Sequence, residues 1–423
     1  MSSDWEPTTL GSVCDRQGGS IQTGPFGSQL HASDYVEQGI PVVMPANIGS
    51  DGGISEDGIA RITQFDADRL QQHKLQVGDV VFSRRGDVTR NALIEAHQAG
   101  WLCGTGCLKV RLGSQTQASA KFISYCLRLP ETKDWLVRHA VGATMPNLNT
   151  SILSAVPILL PELPVQQSIA NILGCLDERI DLLRETNATL EAIVQALFKS
   201  WFVDFDPVHA RARGEQLAGL APEVAALFPD SFEESALGLV PKGWKYVSLK
   251  EATDIFDSKR IPLAGQERAK RKGPYPYYGA AALMDWVDDY IFDGVYLLMG
   301  EDGSVADASG YPITQYVWGK IWVNNHAHVL QGRNGISTEH LMLALKGVNI
   351  QPFITGAVQA KLSQSNMWRI QFLMPTQSVA SAFADLISPM FAKIRANSEQ
   401  AQTLANLRDT LLPRLISGQL RLP

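Results

Sequence analysis

The chain has 423 residues, 45% of them hydrophobic and 19% charged, with 35 Gly, 22 Pro and five Cys. That excludes a disordered chain, a collagen and a disulfide-dense miniprotein, and the length predicts two or three domains. A formal net charge of −6 argues mildly against a nucleic-acid partner until it is resolved region by region.

The first stretch, residues 1–160, reads as mixed α/β. Short β-rich runs such as Pro41-Val42-Val43-Met44 and Asp79-Val80-Val81-Phe82 alternate with Gly- and Asp-rich turns, and a helix is predicted around 120–129. A polar loop at 24–31 carries Ser28, Gln29 and His31, and Arg84-Arg85 follows a predicted strand. Residues 161–210 read as a first spacer helix, with a heptad seam through Ile169, Leu176, Leu183, Leu190 and Leu197 and, four residues on, Leu173, Ile180, Asn187 and Val194. Residues 211–243 read as a linker.

Residues 244–378 form a second mixed α/β segment, with strands at Val295-Tyr296-Leu297-Leu298 and Lys320-Ile321-Trp322-Val323 and a helix around 338–345. Residues 379–423 read as a second spacer helix. Its seam holds Phe383, Met390, Asn397, Leu404 and Leu411 beside Ile387, Ile394, Ala401 and Arg408. Pro164 and Pro375-Thr376 are expected just before the two helix starts, and Gly418 fits a C-cap. An amphipathic core helix is the competing reading, but a 3.5-residue period sustained in two copies favours a coiled coil of about five heptads, roughly 50 Å long.

The chain repeats itself. Gly142-Ala143 and Leu148 match Gly356-Ala357 and Leu362 at an offset of 214 that persists through Leu197/Leu411, while Trp5, Leu10 and Asp15 match Trp244, Leu249 and Asp254 at an offset of 239. The second variable segment is therefore 25 residues shorter than the first. Asn187 and Asn397 stand on the two seams, and antiparallel packing of the helices would bring them face to face.

Net charge is −2 over residues 1–160, −5 over 161–210, −2 over 211–243, +1 over 244–378 and +2 over 379–423. The acidity thus sits mainly in the first spacer helix and the linker. Both variable segments carry local basic clusters, Arg84-Arg85, Lys259-Arg260 and Arg268 with Lys270, Arg271 and Lys272, which fit phosphate contact or solvated loops. Tyr277, Tyr278, Asn324, Asn325 and His326 offer stacking and base-edge groups, although the Asn-Asn-His stretch equally fits a turn held by its own hydrogen bonds.

No phosphate loop, nucleophile elbow or His-Glu-x-x-His is present. No metal site is expected: Cys103 and Cys107 lack a second zinc-spaced pair, and the run from Gly300 to Ser304 lacks the terminal Glu of a calcium loop. The scattered cysteines (14, 103, 107, 126 and 175) fit free thiols in a reducing, cytoplasmic setting. No 18-residue apolar run predicts a membrane span, and the first residues show no signal-peptide pattern.

The tract Leu159-Leu-Pro-Glu-Leu-Pro-Val-Gln-Gln167, the run from Ala196 to Pro207, the run from Leu407 to Arg421 and Val240-Pro-Lys-Gly-Trp244 resemble the DNA-specificity (S) subunits of Type I restriction-modification systems. The likeness spans nearly the whole chain. Tyr277-Tyr278-Gly279-Ala280 with the run from Trp322 to His328 resembles one class of target-recognition domain. Residues 24–30 with 39–48 resemble another. Pro375-Thr376-Gln377-Ser378 departs from the fuller family form at the second helix start.

The resemblance implies two mixed α/β target-recognition domains separated by two long antiparallel coiled-coil helices in a pseudo-twofold repeat. It implies a non-catalytic subunit that binds an asymmetric, bipartite double-stranded DNA site, with the helices docking two methyltransferase (M) subunits that recruit restriction (R) subunits. S-adenosylmethionine, ATP and Mg²⁺ would then belong to those partners and none to this chain. A methylation-only or phage-defence relative, a coiled-coil scaffold without DNA specificity, and a modification enzyme with its own site are the competing readings. Sequence-specific DNA retention that weakens steeply with salt would separate a DNA-specificity subunit from a scaffold.

Overall fold

The computed structural model describes residues 5–142, 144–356 and 358–422; Ala143 and Ala357 of the repeat lie outside the described residues. The chain divides into two compact units, residues 1–181 with 401–423, and residues 182–400. Each unit contains one variable segment and stretches of both long helices, Leu163–Phe202 and Gln377–Ile416, which are 40 residues each. Among the described residues no helix is long and apolar enough to cross a membrane.

Each variable segment is closed by a pair of antiparallel strands, one from its start and one from its end. In the first unit Glu6–Thr9 pairs with Pro157–Leu160, Glu6 opposite Leu160. In the second Lys245–Ser248 pairs with Gln371–Met374, Lys245 opposite Met374. The two registers are identical at the repeat offsets. A short helix follows each opening strand, Leu10–Arg16 and Leu249–Ala252. Each is capped by a hydroxyl at the equivalent position: Thr9 accepts from the Ser12 N–H, and Ser248 from the Lys250 N–H.

Between these clasps the units differ. The first holds two four-stranded sheets. One is antiparallel, in the order Ser20–Thr23, Cys107–Arg111, Val80–Ser83, Asn91–Leu93. The other runs Tyr35–Val36, Ala60–Ile62, Ile40–Val43, Leu102–Cys103, with a parallel last junction. The second unit holds one six-stranded sheet in the order Thr253–Ile255, Ala327–Gly332, Phe292–Gly300, Thr314–Val323, Tyr275–Tyr278, Leu283–Val287, parallel only between Thr314–Val323 and Tyr275–Tyr278. A helix follows the sheets in each segment, Ala120–Cys126 and Thr338–Lys346.

The glycines that open the repeat have a shared physical cause. Gly142 and Gly356 sit at φ +108° and +96°, where a Cβ would lie 2.7 Å from the Met145 carbonyl oxygen and 2.1 Å from that of Gln359. Both start a tight return of the chain, bridged between Val141 and Asn147 in one unit and between Thr355 and Lys361 in the other. Only glycine fits.

The seams pack antiparallel within each unit. In the first, Ile169, Ala170 and Leu173 share a core with Leu412, Leu415 and Ile416. Arg408, on a seam position, turns its guanidinium to Asp177 at 2.7 Å, and Asp177 also accepts from the Tyr125 hydroxyl at 2.7 Å and from Arg128 at 3.2 Å. Burial, reinforced by the Asp177 carboxylate, pushes the Tyr125 hydroxyl up. In the second unit Val194, Trp201 and Phe202 pack with Phe383, Ile387, Phe391 and Ile394. There Asn397 donates to the Asn187 side-chain oxygen at 2.9 Å, and Asn187 donates to the Ile394 carbonyl at 3.1 Å and to the Ser398 hydroxyl at 3.0 Å. Buried amides in an apolar seam need such partners. Leu183 is buried, while Leu176, Leu190, Leu197, Met390, Leu404 and Leu411 are half-buried along the same faces.

Several expectations need amendment. Pro164 lies inside the first turn of its helix, where its missing N–H has no intrahelical partner to lose. The second helix begins at Gln377 directly after Thr376, and Gly418 at φ +71° follows its last residue, Ile416, by two. The first helix stops at Phe202, and Asp206–Ala212 forms a separate short helix. The stretch read as a linker is folded: it holds the helix Pro222–Ala225 and the hairpin of Phe232–Ser235 with Gly238–Pro241. Phe228 stands edge-on to Trp201 with ring centroids 5.0 Å apart and also lies against Trp244.

Candidate nucleic-acid interface

In the first unit, backbone hydrogen bonds gather several loops on one rim of the sheets. The Gly24 N–H donates to the Cys107 carbonyl at 2.9 Å, the Arg84 N–H to that of Gly106 at 2.9 Å, and the Gly104 N–H to that of Val43 at 2.9 Å. The 141–147 return joins them: the Leu148 N–H donates to the Arg84 carbonyl at 2.9 Å, and Arg85 bridges to Asn147. A Cβ on Gly24 would meet the Gly104 carbonyl oxygen at 1.8 Å, so the 24–31 loop can leave its strand only through glycine.

This rim therefore brings the root of the 24–31 loop, at Gly24, to the strand exit at Arg84-Arg85. Ser28, His31 and Arg85 are exposed, and Arg84 is half-buried. Among the described residues no carboxylate pairs with Arg84 or Arg85, and the Arg84 Nε is buried without a hydrogen-bond partner. Gln29 is committed locally: its side-chain oxygen accepts from the Phe26 N–H at 3.0 Å, and its carbonyl accepts from Arg69 at 2.8 Å.

The second unit repeats the device. The Leu362 N–H donates to the Glu301 carbonyl at 2.8 Å, the Gly303 N–H to that of Ala360 at 2.8 Å, and Asp302 bridges to Lys361. The Glu301 N–H also donates to the His326 carbonyl at 2.8 Å, and the Asn324 N–H to that of Tyr278 at 3.1 Å. Tyr278, Asn325, His326 and the 355–361 return thus share one rim.

Not all the residues expected there face outward. Tyr277 is 1% exposed, and its hydroxyl accepts from the Leu263 N–H at 3.0 Å, so it supports the strand. Asn324 is buried, and its side-chain oxygen accepts from the His326 N–H at 2.8 Å, closing the turn. Tyr278 is half-buried and burial raises its hydroxyl. Asn325 and His326 are exposed. Lys270 and Arg271 precede Tyr275–Tyr278, at the opposite end of that strand from Tyr278. Arg271 donates to Asp288 at 2.9 Å and lies over the Trp322 ring, whereas Lys270 is exposed.

Two features escaped the reading of the sequence. Met284 is 54% exposed on the edge strand Leu283–Val287, and its sulfur lies 3.6 Å from the Asn324 side-chain nitrogen, which puts an apolar group on the rim. Behind the rim, donor atoms of Asp257, Glu301 and His328 lie within 4.8 Å of one another. That is metal-like spacing, but Arg260 already supplies the cation, 3.3 Å from Asp257 and 2.7 Å from Glu301. The Asp257/Arg260 spacing of three was the available signal; the Glu301 and His328 contacts cross more than 40 residues.

Two unlike rims, each carried on its own copy of a duplicated scaffold, mark a protein built from two related but differently tipped units. The sequence matches the family described as Type I restriction modification DNA specificity domain over residues 2–192 and 241–405, and the chain belongs to that family. It is similar to the Type I restriction enzyme HindI specificity subunit of Haemophilus influenzae, 24% identical over 364 residues covering 71% of this chain and 77% of that protein. It is likewise similar to the MjaIX specificity subunit of Methanocaldococcus jannaschii, 24% identical over 318 residues, 71% of this chain and 69% of that one. The solved S subunit of a Type I restriction-modification system from M. genitalium shares the fold, with a TM-score of 0.59 at 17% identity over 97% of this chain and 96% of that chain.

Proposed function

We propose that the chain is the specificity subunit of a Type I restriction-modification complex and reads an asymmetric double-stranded DNA site in two parts, one for each variable segment. Residues 1–160 and 244–378 are the recognition domains. The helical copies serve as the spacer and as the docking surface for two methyltransferase subunits, through which restriction subunits join. The chain itself does no chemistry; S-adenosylmethionine, ATP and Mg²⁺ act in the partners.

One observation carries this reading. The clasp register and the backbone bridges of the two returns recur at the same offsets, and both long helices carry an apolar seam, whereas the rims they support differ. A duplicated scaffold with unlike rims suits two unlike half-sites. Ser28, His31, Arg84 and Arg85 are the contacts assigned to the first half-site, and Asn325, His326 and Tyr278 to the second, with Lys270 on phosphate. Arg84 and Arg85 have the geometry to take guanine or phosphate, and Asn325 that to take adenine.

Genome-wide adenine-methylation mapping in a strain expressing this chain with its methyltransferase partner tests it. The expected result is one asymmetric two-part motif with a fixed gap, lost when the chain is deleted. A methylation pattern indifferent to this chain would reject the assignment.

A further inference from the structure

We propose that Arg260 is a positioning residue for the second unit's base discrimination, fixing the Asn325-His326 turn in its reading geometry; this rests on the DNA-reading function proposed above. The turn joins Thr314–Val323 to Ala327–Gly332 and carries two exposed side chains outward. The carbonyls of Asn325 and His326 in the turn, and of Ala327 just after it, are held from behind. Arg260 Nη1 donates to the Ala327 carbonyl at 2.7 Å and to that of Asn325 at 3.4 Å. Between them, the His326 carbonyl accepts from the Glu301 and Asp302 N–H groups at 2.8 and 3.3 Å.

The guanidinium is itself fixed. Its side chain is 12% exposed and meets Glu301 Oε2 at 2.7 Å and the Asp257 carboxylate at 3.3 Å. Asp257 is steadied in turn by His328 Nδ1 at 2.6 Å, while His328 Nε2 lies 2.8 Å from the Leu362 carbonyl oxygen. With Arg260 Nε also donating to the Asp257 carbonyl at 3.0 Å, one planar fork spans two carboxylates and three carbonyls. A lysine ammonium is a point charge on a flexible stem and cannot hold that many directions at once.

The network lies beside an apolar core of Leu298, Ile321, Val323 and Val329, which packs without it. Loss of Arg260 frees the turn while leaving that core in place. Asn325 and His326 make no side-chain hydrogen bond with other described residues; His326 Nδ1 lies 3.9 Å from the Asp302 carboxylate. Their aim is thus set by the backbone beneath them. Base readout tolerates displacements of only about 0.5 Å, so a loosened turn loses discrimination before it loses binding.

The test uses the full chain in complex with its methyltransferase partner, as wild type, Arg260→Lys, Asn325→Ala and His326→Ala. Binding is competed with duplexes altered one base pair at a time in each half-site. Arg260→Lys and at least one of the two turn variants are expected to lower discrimination about tenfold at one half-site, leaving the other as an internal control. A general loss of stability would move both half-sites together, and that result overturns the proposal. Undiminished discrimination in Arg260→Lys also overturns it, as does undiminished discrimination in both turn variants. These outcomes leave the DNA-reading function standing, whereas a wild-type complex with no preferred site removes that function and this inference with it.

Discussion

In the first unit the strand Val80–Ser83 runs out into Arg84-Arg85; in the second the strand Phe292–Gly300 runs out into Glu301-Asp302. An equivalent backbone hydrogen bond holds each exit, Leu148 N–H to the Arg84 carbonyl and Leu362 N–H to the Glu301 carbonyl, at 2.9 and 2.8 Å. Yet one exit presents two cations that no carboxylate among the described residues pairs with, and the other two carboxylates neutralised by the partly buried Arg260 and the exposed Lys361. Backbone groups do not register side-chain charge, so duplication fixes the scaffold and leaves the chemistry of each rim free. The seams diverge in the same way: the first unit settles its polar seam residue with an ion pair, Arg408 to Asp177, and the second with an amide pair.

The largest difference to exploit is between Trp244 and its repeat mate Trp5. Trp244 is 1% exposed, with Phe202, Phe205 and Phe228 around it, whereas Trp5 is only partly buried. Trp244→Ala is expected to cost about 3–5 kcal/mol and Trp5→Ala about 1–2 kcal/mol in urea unfolding. Equal losses would mean that the folded 203–243 stretch does not seal the second unit more tightly than the first is sealed.

A pH titration sharpens the contrast next. Burial among Phe198, Phe202 and Phe383 pushes the His340 ring down to about 3 from an ordinary 6.5. The folded state therefore holds the neutral ring, and its contribution is complete above pH 6.5 and is lost as pH falls toward 3. Between pH 6.5 and 5 that amounts to about 2 kcal/mol. His340→Phe should flatten the dependence of stability on pH over this range. The residual slope belongs to groups such as His73 in the first unit, also lowered by burial and by Lys109. An unchanged slope in the variant would place the acid sensitivity elsewhere.

The smallest expected effect concerns the amide pair. Asn397→Leu strands the half-buried Asn187 oxygen and should cost about 1 kcal/mol. The double change to Leu should cost less than the single one, because an apolar pair suits the seam. A double variant less stable than Asn397→Leu alone would contradict this.

The seams were legible in the sequence because a 3.5-residue period needs no tertiary context, and Asn187 and Asn397 stood out as the amides on them. The mixed α/β class was equally plain from short β-rich runs between turns. The two clasps were hidden, since nothing local in Glu6–Thr9 specifies a partner some 150 residues away. Rim membership was only half legible. Tyr277 and Asn324 carry groups suited to bases, but composition does not reveal that a hydroxyl will cap a backbone N–H or an amide close its own turn. Arg260 was noticed as a surface cation and missed as an internal one because Glu301 is 41 residues away.

The amide pair has a consequence in time. Asn187 and Asn397 are 210 residues apart. At a synthesis rate of about 5–20 residues per second, the first long helix waits roughly 10–40 s for its mate to leave the ribosome. Throughout that interval the seam residues that the second copy covers, Val194, Trp201 and Phe202 among them, are without that cover. The net charge of −5 over residues 161–210 is expected to favour solubility at that stage, before the seam is concealed.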